Sequence, residues 1–383
     1  MITLHSGFDG LDVAIKANPP LELVEVLEAS KALAADMHRD CPQQFNGISF
    51  SVSAGGGQGG YAYRVDTGTL GATWFFKKPR AGDPWGVRVS FKSRPLALFG
   101  LEKVRADFEK TCLKLGLRVP LDGISIGRVD YAIDILVASL KLEPTNFKVH
   151  SRANRRSHSD LEEMVTNGPS GRYTSVTIGK MPGRQVIVYD KRKEAQDHRK
   201  LEWPAIWKSA LECQGLGEVD PMNPISGDVW RVELRLGKNA LRARRDIRSW
   251  QSLYANLQEE MEQLAQEVSL RCPVDDTNRS RWPLHPFWGT MQNVLIDKGL
   301  FDIVPELPPE PIQVAELEGK KEEFLTLISS LSVTLAALEE CAESEFPEFL
   351  EKFPSRITDF LHRHPRGLGQ RFEDAREKYR HLR

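Results

Sequence analysis

The chain has 383 residues, 40% hydrophobic and 27% charged, with a net charge of -1. That length allows two compact domains, or one domain with an extension, around a sizeable core. A near-neutral total does not advertise nucleic-acid binding, so the distribution of charge matters more. The 5 cysteines, Cys41, Cys112, Cys213, Cys272 and Cys341, are scattered and form no C-x-x-C pair. An odd, dispersed set excludes a full disulfide framework and fits a reducing cytoplasm. No basic region followed by an apolar run opens the chain, and no stretch approaches the ~20 apolar residues of a membrane helix. The expectation is a soluble cytoplasmic protein.

In chain order, Leu11 to Ile15 reads as a short strand, and Leu21 to Met37 has helical periodicity after Pro19 and Pro20. Ile48 to Val52, Tyr61 to Val65, Ala72 to Phe76 and Val87 to Phe91 alternate as strands of antiparallel hairpins, with a glycine-rich turn at Gly55 to Gly60. Leu101 to Leu115 is helical. Ile124 to Leu136 is a long strand that carries Arg128, Asp130 and Asp134. Tyr173 to Ile178 and Gln185 to Tyr189 form a hairpin whose turn uses Gly179 and Pro182-Gly183. A charged helix starts at Asp190, and Val229 to Leu236 is the next strand. From Leu241 onward the chain reads as all helical, with an amphipathic segment at Arg248 to Val268 and a proline-rich linker at Pro305, Pro308, Pro309 and Pro311. Helical patterns resume at Gln313 to Cys341. The predicted divisions are 1–248, 249–307 and 308–383. The phrases LDVAI around Asp12 and VDYAIDI around Asp130 are alike, which reads as shared strand grammar rather than duplication.

Charge is segregated. Lys148 to Lys200 holds 12 Lys/Arg against 6 Asp/Glu, net +6, and Arg231 to Arg248 holds 7 against 2, net +5. Phe301 to Glu351 holds 13 acidic residues against 2 basic ones, net -11. The basic middle can neutralise phosphates and supply salt-dependent affinity. Solvated surface is the plainer reading of any single cluster.

Three segments carry candidate chemistry. Side chains on a strand alternate faces, so Arg128, Asp130, Ala132 and Asp134 share one face. Two carboxylates on one face repel unless a cation or an arginine compensates. A hard divalent ion such as Mg²⁺ or Mn²⁺ is one such cation; Arg128 or a residue of the neighbouring strand is the other. By the same logic Arg231, Glu233 and Arg235 face one way. The two strands together suggest a polar face, acidic at its centre and arginine-rich around it. In the third segment, Tyr189 ends an apolar strand where a charged helix begins. A phenol with a pKa near ~10 is a weak nucleophile and needs a cation to stabilise the phenolate or a base to take its proton. Lys191, Lys193, Glu194 and a metal are candidates, and a core tyrosine is the alternative.

Taken together, RVDYAID (Arg128 to Asp134), SVTIG (Ser175 to Gly179), VIVYDKRKE (Val186 to Glu194) and WRVELRL (Trp230 to Leu236) resemble the replication initiation factor family. These are initiators of rolling-circle plasmids and filamentous phages, with related conjugative relaxases. The resemblance covers about residues 120 to 240, with weaker likeness from Leu11. It implies an α+β fold, a variant of the histidine-metal nickase fold: a central antiparallel sheet backed by helices, with a helical C-terminal region. It implies a rolling-circle initiator that nicks and religates one DNA strand through a 5′-phosphotyrosine at Tyr189. Glu194 is the matching acidic residue and Lys191 a catalytic partner. Mg²⁺ or Mn²⁺ would be held by Asp130, Asp134 and Glu233. Single-stranded or cruciform origin DNA would be contacted by Arg128, Arg152, Arg155, Arg156, Lys193, Arg231, Arg235, Arg242, Arg244 and Arg245. The chain departs from the nickase pattern in having no apolar His-x-His strand. Its one such spacing, His362-Arg363-His364, reads as surface, and a metal role for His150 or His158 is open. The acidic tail leaves three roles: dimerisation into a homodimer, recruitment of host helicase or polymerase, or capping. A non-enzymatic origin-binding regulator and a conjugative relaxase are the alternative functions.

Overall fold

An eleven-stranded antiparallel sheet runs through the computed structural model, which describes residues 1–80, 82–149, 161, 163–168, 172–301, 309–363 and 367–378. In chain order the first unit comprises β1 (Ile2–Ile15), α1 (Leu21–Met37), β2 (Cys41–Phe45), β3 (Ile48–Val52), β4 (Tyr63–Asp66), β5 (Ala72–Phe76), β6 (Val87–Phe91), α2 (Ser93–Lys114) and β7 (Ile124–Val137). It continues through β8 (Phe147–Val149), β9 (Met164–Asn167), β10 (Ser175–Gly179), β11 (Arg184–Asp190), α3 (Lys191–Asp197), α4 (Glu202–Cys213) and β12 (Asp228–Gly237). It closes with α5 (Lys238–Ala243), α6 (Trp250–Glu267), β13 (Val268–Leu270) and α7 (Pro286–Lys298). The chain divides into two compact units, Met1–Leu307 and Pro308–Arg383. The second holds α8 (Pro309–Leu338), α9 (Phe346–Arg363) and α10 (Leu368–Lys378). No described helix is long and apolar enough to cross a membrane.

The strand order is β2-β3-β4-β5-β6-β1-β7-β12-β11-β10-β9. Strands β4, β5, β6 and β11 alternate buried and less buried residues with the period of two. Odd residues of β1 and β7 (Leu11, Val13, Ile15, Val129, Tyr131, Ile133) are buried in the core, with Leu253, Leu257, Met261 and Leu264 of α6 and Phe108 of α2. Each such side chain contributes roughly 1.5–3 kcal/mol by leaving water. Ser249 fixes the start of α6 through a reciprocal cap with Ser252. The α+β class, with helices behind an antiparallel sheet and a helical C-terminal region, is therefore what the chain adopts.

Two sequence expectations change. The region after Leu241 is not all helical, because β13 pairs with β8 in a small second sheet. The LDVAI and VDYAIDI phrases are also more than common grammar. At the sheet centre Leu11 faces Val129, and the flanking pairs Asp12–Arg128 and Gly10–Asp130 exchange if the two strands are swapped about it. Outward from that axis, β6, β5, β4 and β3 on one side match β12, β11, β10 and β9 on the other. The two halves repeat one topology.

Candidate functional site

The polar face predicted on two strands exists, and it is one face. Cross-strand register sets Arg231 against Asp134, Glu233 against Ala132 and Arg235 against Asp130. Tyr189 on β11 sits opposite Arg231, and His5 on β1 sits opposite Asp134. Ser175, Tyr189, Arg231, Asp134 and His5 thus form one row across five adjacent strands. A register shift between Phe8 and Gly10 bulges β1, and the Asp9 carboxylate meets the row there.

Arg231 is the hub. It is 0% exposed and donates from Nε and Nη2 to Asp134 at 2.6 and 2.8 Å, and from Nη1 to Asp9 at 2.6 Å. Bidentate arginine–carboxylate geometry of this kind is strong and directional. Asp134 also accepts from the Trp207 indole at 2.8 Å. Burial pushes the Asp134 carboxyl up, but Arg231 overrides it and holds the group below the usual carboxylate range. Trp203 stacks under the guanidinium at 3.9 Å. Burial takes the neighbouring His5 imidazole down to about 4, so it is neutral at pH 7, and its Nε2 makes no hydrogen bond among the described residues.

The helices after β11 close this row. Asp190 caps α3 by accepting from the Lys193 amide at 2.9 Å, which ends the strand directly after Tyr189. Lys191 is buried, its ammonium 5.6 Å from the Tyr189 ring and 4.5 Å from the Trp203 ring. It donates to Glu194 at 2.7 Å, and Lys200 also pairs with Glu194. Burial pushes Glu194 up, yet the two lysines win and hold it below its ordinary range. The half-buried Tyr189 has no hydrogen bond to its hydroxyl among the described residues. Burial carries its phenol well above the ordinary tyrosine range, while Arg231 pulls the other way. Glu233, Asp9 and Glu194 are the carboxylates whose charge the phenol feels.

The remaining predicted residues sort by partner. Asp130 is buried and paired with Arg128 at 2.8 Å; burial raises it to about 6 despite that arginine. Glu233 accepts from Arg235 at 2.7 Å, and Arg235 reaches Asp130 at 3.8 Å. Asp130 and Glu233 therefore meet across Arg235, beside an open cleft of about 300 Å³ that also touches Asp9, Asp12 and Arg128. Asp134 belongs to the other cluster, with Arg231. Each of the three acids is compensated by an arginine, and the described residues contain no group of three His, Cys, Asp or Glu able to hold a metal ion. As arranged, these acids do not fit a divalent cation, since guanidinium groups occupy the faces a cation would take.

Of the predicted DNA contacts, Arg128 is about a third exposed and Lys193 is exposed, paired with Asp197 at 2.9 Å. Arg231 has no surface to offer a phosphate, and Arg235 is committed to Glu233. Arg242 donates to Ser125 of β7, and Arg244 to Glu267 and Arg245 to Glu260 of α6, each at 3.0 Å, so that cluster ties α5 and the turn after it to β7 and α6. Arg152, Arg155, Arg156, His150, His158 and His364 lie outside the described residues. His362 and Arg363 end α9 in the second unit. Sequence reasoning missed His5, Asp9, Trp203, Trp207 and Lys200. The tryptophans had a readable signal, the helical spacing of Trp203, Ile206, Trp207 and Leu211.

Fold and site together define an α+β protein whose long antiparallel sheet holds a buried arginine–carboxylate hub beside a rim tyrosine. No family model matches the chain, and no curated protein matches it. Among solved structures it is similar to a rolling circle replication initiator protein from Geobacillus stearothermophilus, at 14% identity and a TM-score of 0.39, over 79% of this chain and 99% of that one. Likeness at that level assigns no residue a role.

Proposed function

We propose that this chain is a rolling-circle replication initiator that cuts and rejoins one DNA strand through Tyr189. The observation that carries the reading is the setting of that phenol. It lies in the polar row between Ser175 and Arg231, beneath the Lys191 ammonium, with no hydrogen bond to its hydroxyl among the described residues. Further support comes from the four sequence segments that carry the family resemblance. Three of them, β7, β12 and β11, are consecutive in the sheet, and the fourth, β10, pairs with β11.

The chemistry follows from the charges. The Tyr189 oxygen attacks a backbone phosphorus, its proton passing to a carboxylate of this face. The bond from phosphorus to the 3′-oxygen breaks, and that oxygen takes up a proton. The product is a 5′-phosphotyrosine and a free 3′-hydroxyl that a polymerase can extend. The bond energy is retained, so reversal rejoins the strand. Arg231 and Lys191 supply the positive field that favours phenolate and the transition state over the resting phenol. Arg231 acts from beneath the row, as a fixed charge.

The test is covalent capture. Protein is incubated with labelled single-stranded DNA from the parent replicon, with Mn²⁺ or with EDTA, and resolved under denaturing conditions. An SDS-resistant adduct in wild type that is lost in Tyr189→Phe is the expected result. An adduct that persists in Tyr189→Phe moves the nucleophile elsewhere. Tight DNA binding with no adduct in either protein favours a non-enzymatic origin-binding regulator, a reading supported by the arginine saturation of all three acids.

A further inference from the structure

The first half of the sheet carries a surface that the hub does not use. From Cys41 to Lys92 the chain holds 6 Lys/Arg against 2 Asp, net +4, with no charge before Arg64. Register sets Arg64 of β4 opposite Phe75 of β5, and Phe75 opposite Arg88 of β6. Residues directly opposite share a face, so the three form a row of cation, ring and cation about 10 Å across. Val65, Trp74 and Val89 point the other way, into the core with Leu23 and Leu27 of α1 and Phe108 of α2. The row therefore lies on the side of the sheet away from those helices. Arg64 is exposed there, and Phe75 and Arg88 are half-buried. Tyr61 joins the row, its ring 6.0 Å from Phe75 and 5.0 Å from the Arg88 guanidinium, which itself lies 4.2 Å from the Phe75 ring. The glycine-rich turn folds back onto this pair of rings: Gly57 bridges to Tyr61, and an added Cβ there would stand 2.5 Å from the Phe75 Cδ1.

The charges here are not balanced as they are at the hub. Lys77 pairs with Asp83, Lys92 with Asp66 and Lys78 with Glu28 of α1. Arg64 and Arg88 have no carboxylate partner among the described residues, and the Arg88 Nε is buried with no hydrogen bond among them. A half-buried guanidinium that has lost water without gaining a counter-charge lacks an anion. We propose that the outer face of β4 to β6 binds single-stranded DNA, with Arg64 and Arg88 on backbone phosphates and Tyr61 stacking a base. This deepens, and rests on, the reading that the chain acts on one DNA strand. Rings beside a positive track hold single strands without reading their sequence, whereas a paired duplex would offer Tyr61 no free base face. At the inner margin Asp12 accepts from Ser90 at 2.6 Å, and there the surface gives way to the cleft that holds Arg128 and Asp130. Tyr189 lies on β11, in the other half of the same sheet, so a strand bound here is held by residues apart from those that would cut it.

The test is fluorescence anisotropy in EDTA, with the full chain and a fluorescein-labelled oligothymidylate of about 20 nucleotides. That probe carries no origin, so binding is read apart from cutting. Tyr61→Ala should weaken binding about tenfold, within the range for one stacked base, and Tyr61→Phe should bind as wild type does. Arg64→Gln should lower the slope of log affinity against log salt by about 0.7, the value for one phosphate of a single strand, with an unchanged melting temperature because the side chain is exposed. Arg64→Lys should keep the slope. A Tyr61→Ala or Arg64→Gln protein that binds as wild type does would overturn the proposal. So would a wild type that shows no binding at about 50 µM, or one that prefers the same oligonucleotide paired to its complement. Covalent capture fails separately: an absent Tyr189 adduct with these binding effects intact would overturn the cutting reading and leave this surface standing.

Discussion

Arg231 offers the sharpest test of the physical account. The guanidinium is fully buried and answers two carboxylates, one of them, Asp134, also fully buried. Arg231→Met keeps the volume and removes the charge. Breaking a buried pair from one side strands the other charge, at a cost of about 3–5 kcal/mol. At roughly 2–4 °C per kcal/mol for a domain of this class, the midpoint should fall by about 6–20 °C. Heat denaturation followed by tryptophan fluorescence suits the measurement, because Trp203 and Trp207 border the hub. Adding Asp134→Leu removes the stranded charge and should recover most of the loss, leaving about 1–2 kcal/mol for the orphaned Trp207 indole. Asp9, partly exposed, can turn to water. The pH dependence gives a second handle. In wild type the Asp134 carboxyl is held below its unfolded value, so it contributes stability above that value that is lost as pH falls. Without Arg231, burial, the largest influence on the carboxyl, acts against only the weaker pull of His5 and Lys191 and raises it, so the variant gains relative stability on acidification. The gap between the two proteins should narrow from pH 7 to pH 4. A single variant within about 2 °C of wild type at pH 7, or a double variant no better than the single, would refute the hub.

Three shorter predictions follow from neighbouring residues. His5 is held near 4 by burial, below its unfolded value of 6.5, so its contribution is present above 6.5 and is lost as pH falls toward 4. His5→Gln should therefore flatten the acid limb of the melting curve by up to about 3 kcal/mol, whereas a limb as steep as wild type would place the acid sensitivity elsewhere. Gly10 lies so close to Asp130 that an added Cβ would stand 2.7 Å from its Oδ2, so Gly10→Ala should displace the Asp130–Arg128 pair and cost about 1–3 kcal/mol in a urea titration. Burial drives the Cys112 thiol up to about 12 while Cys213 is exposed. Iodoacetamide with peptide mapping should label Cys213 in the native protein and reach Cys112 only on unfolding.

The alternating strands and the partition of their faces were legible because each residue type reports its side of a sheet. Arg231, Glu233, Asp130 and Asp134 stand where period two puts them. The first half of β1 was not legible. His5, Gly7, Asp9 and Gly10 interrupt any apolar alternation, because they line the hub face while Phe8 enters the core. The polar and small residues of this stretch are the cost of crossing the site, and the bulge at Asp9 has no sequence signature at all. The choice between metal and arginine as the compensating charge was also hidden. It depends on which strand lies beside β7, and that is a fact of topology. In this fold the register sets Arg231 against Asp134.

The repeated topology explains why the site sits in one half of the sheet. Following the register outward from the central axis, the pair Tyr189–Arg231 corresponds to Lys77 and Gly86, which are themselves joined by a hydrogen bond from the Lys77 amide to the Gly86 carbonyl at 2.8 Å. Between Lys77 and Gly86 the first half has a short loop. Between Tyr189 and Arg231 the second half inserts α3 and α4. Those helices bring Lys191, Glu194, Trp203 and Trp207, and so bury the polar row that the first half leaves without a counterpart. Burial is what gives a guanidinium reach, since the same charge in water is screened within a few ångströms of solvent. The strands thus provide the register, and the insertion provides the low dielectric. A chain carrying the strands without α3 and α4 would lack Lys191, Glu194, Trp203 and Trp207 beside the row.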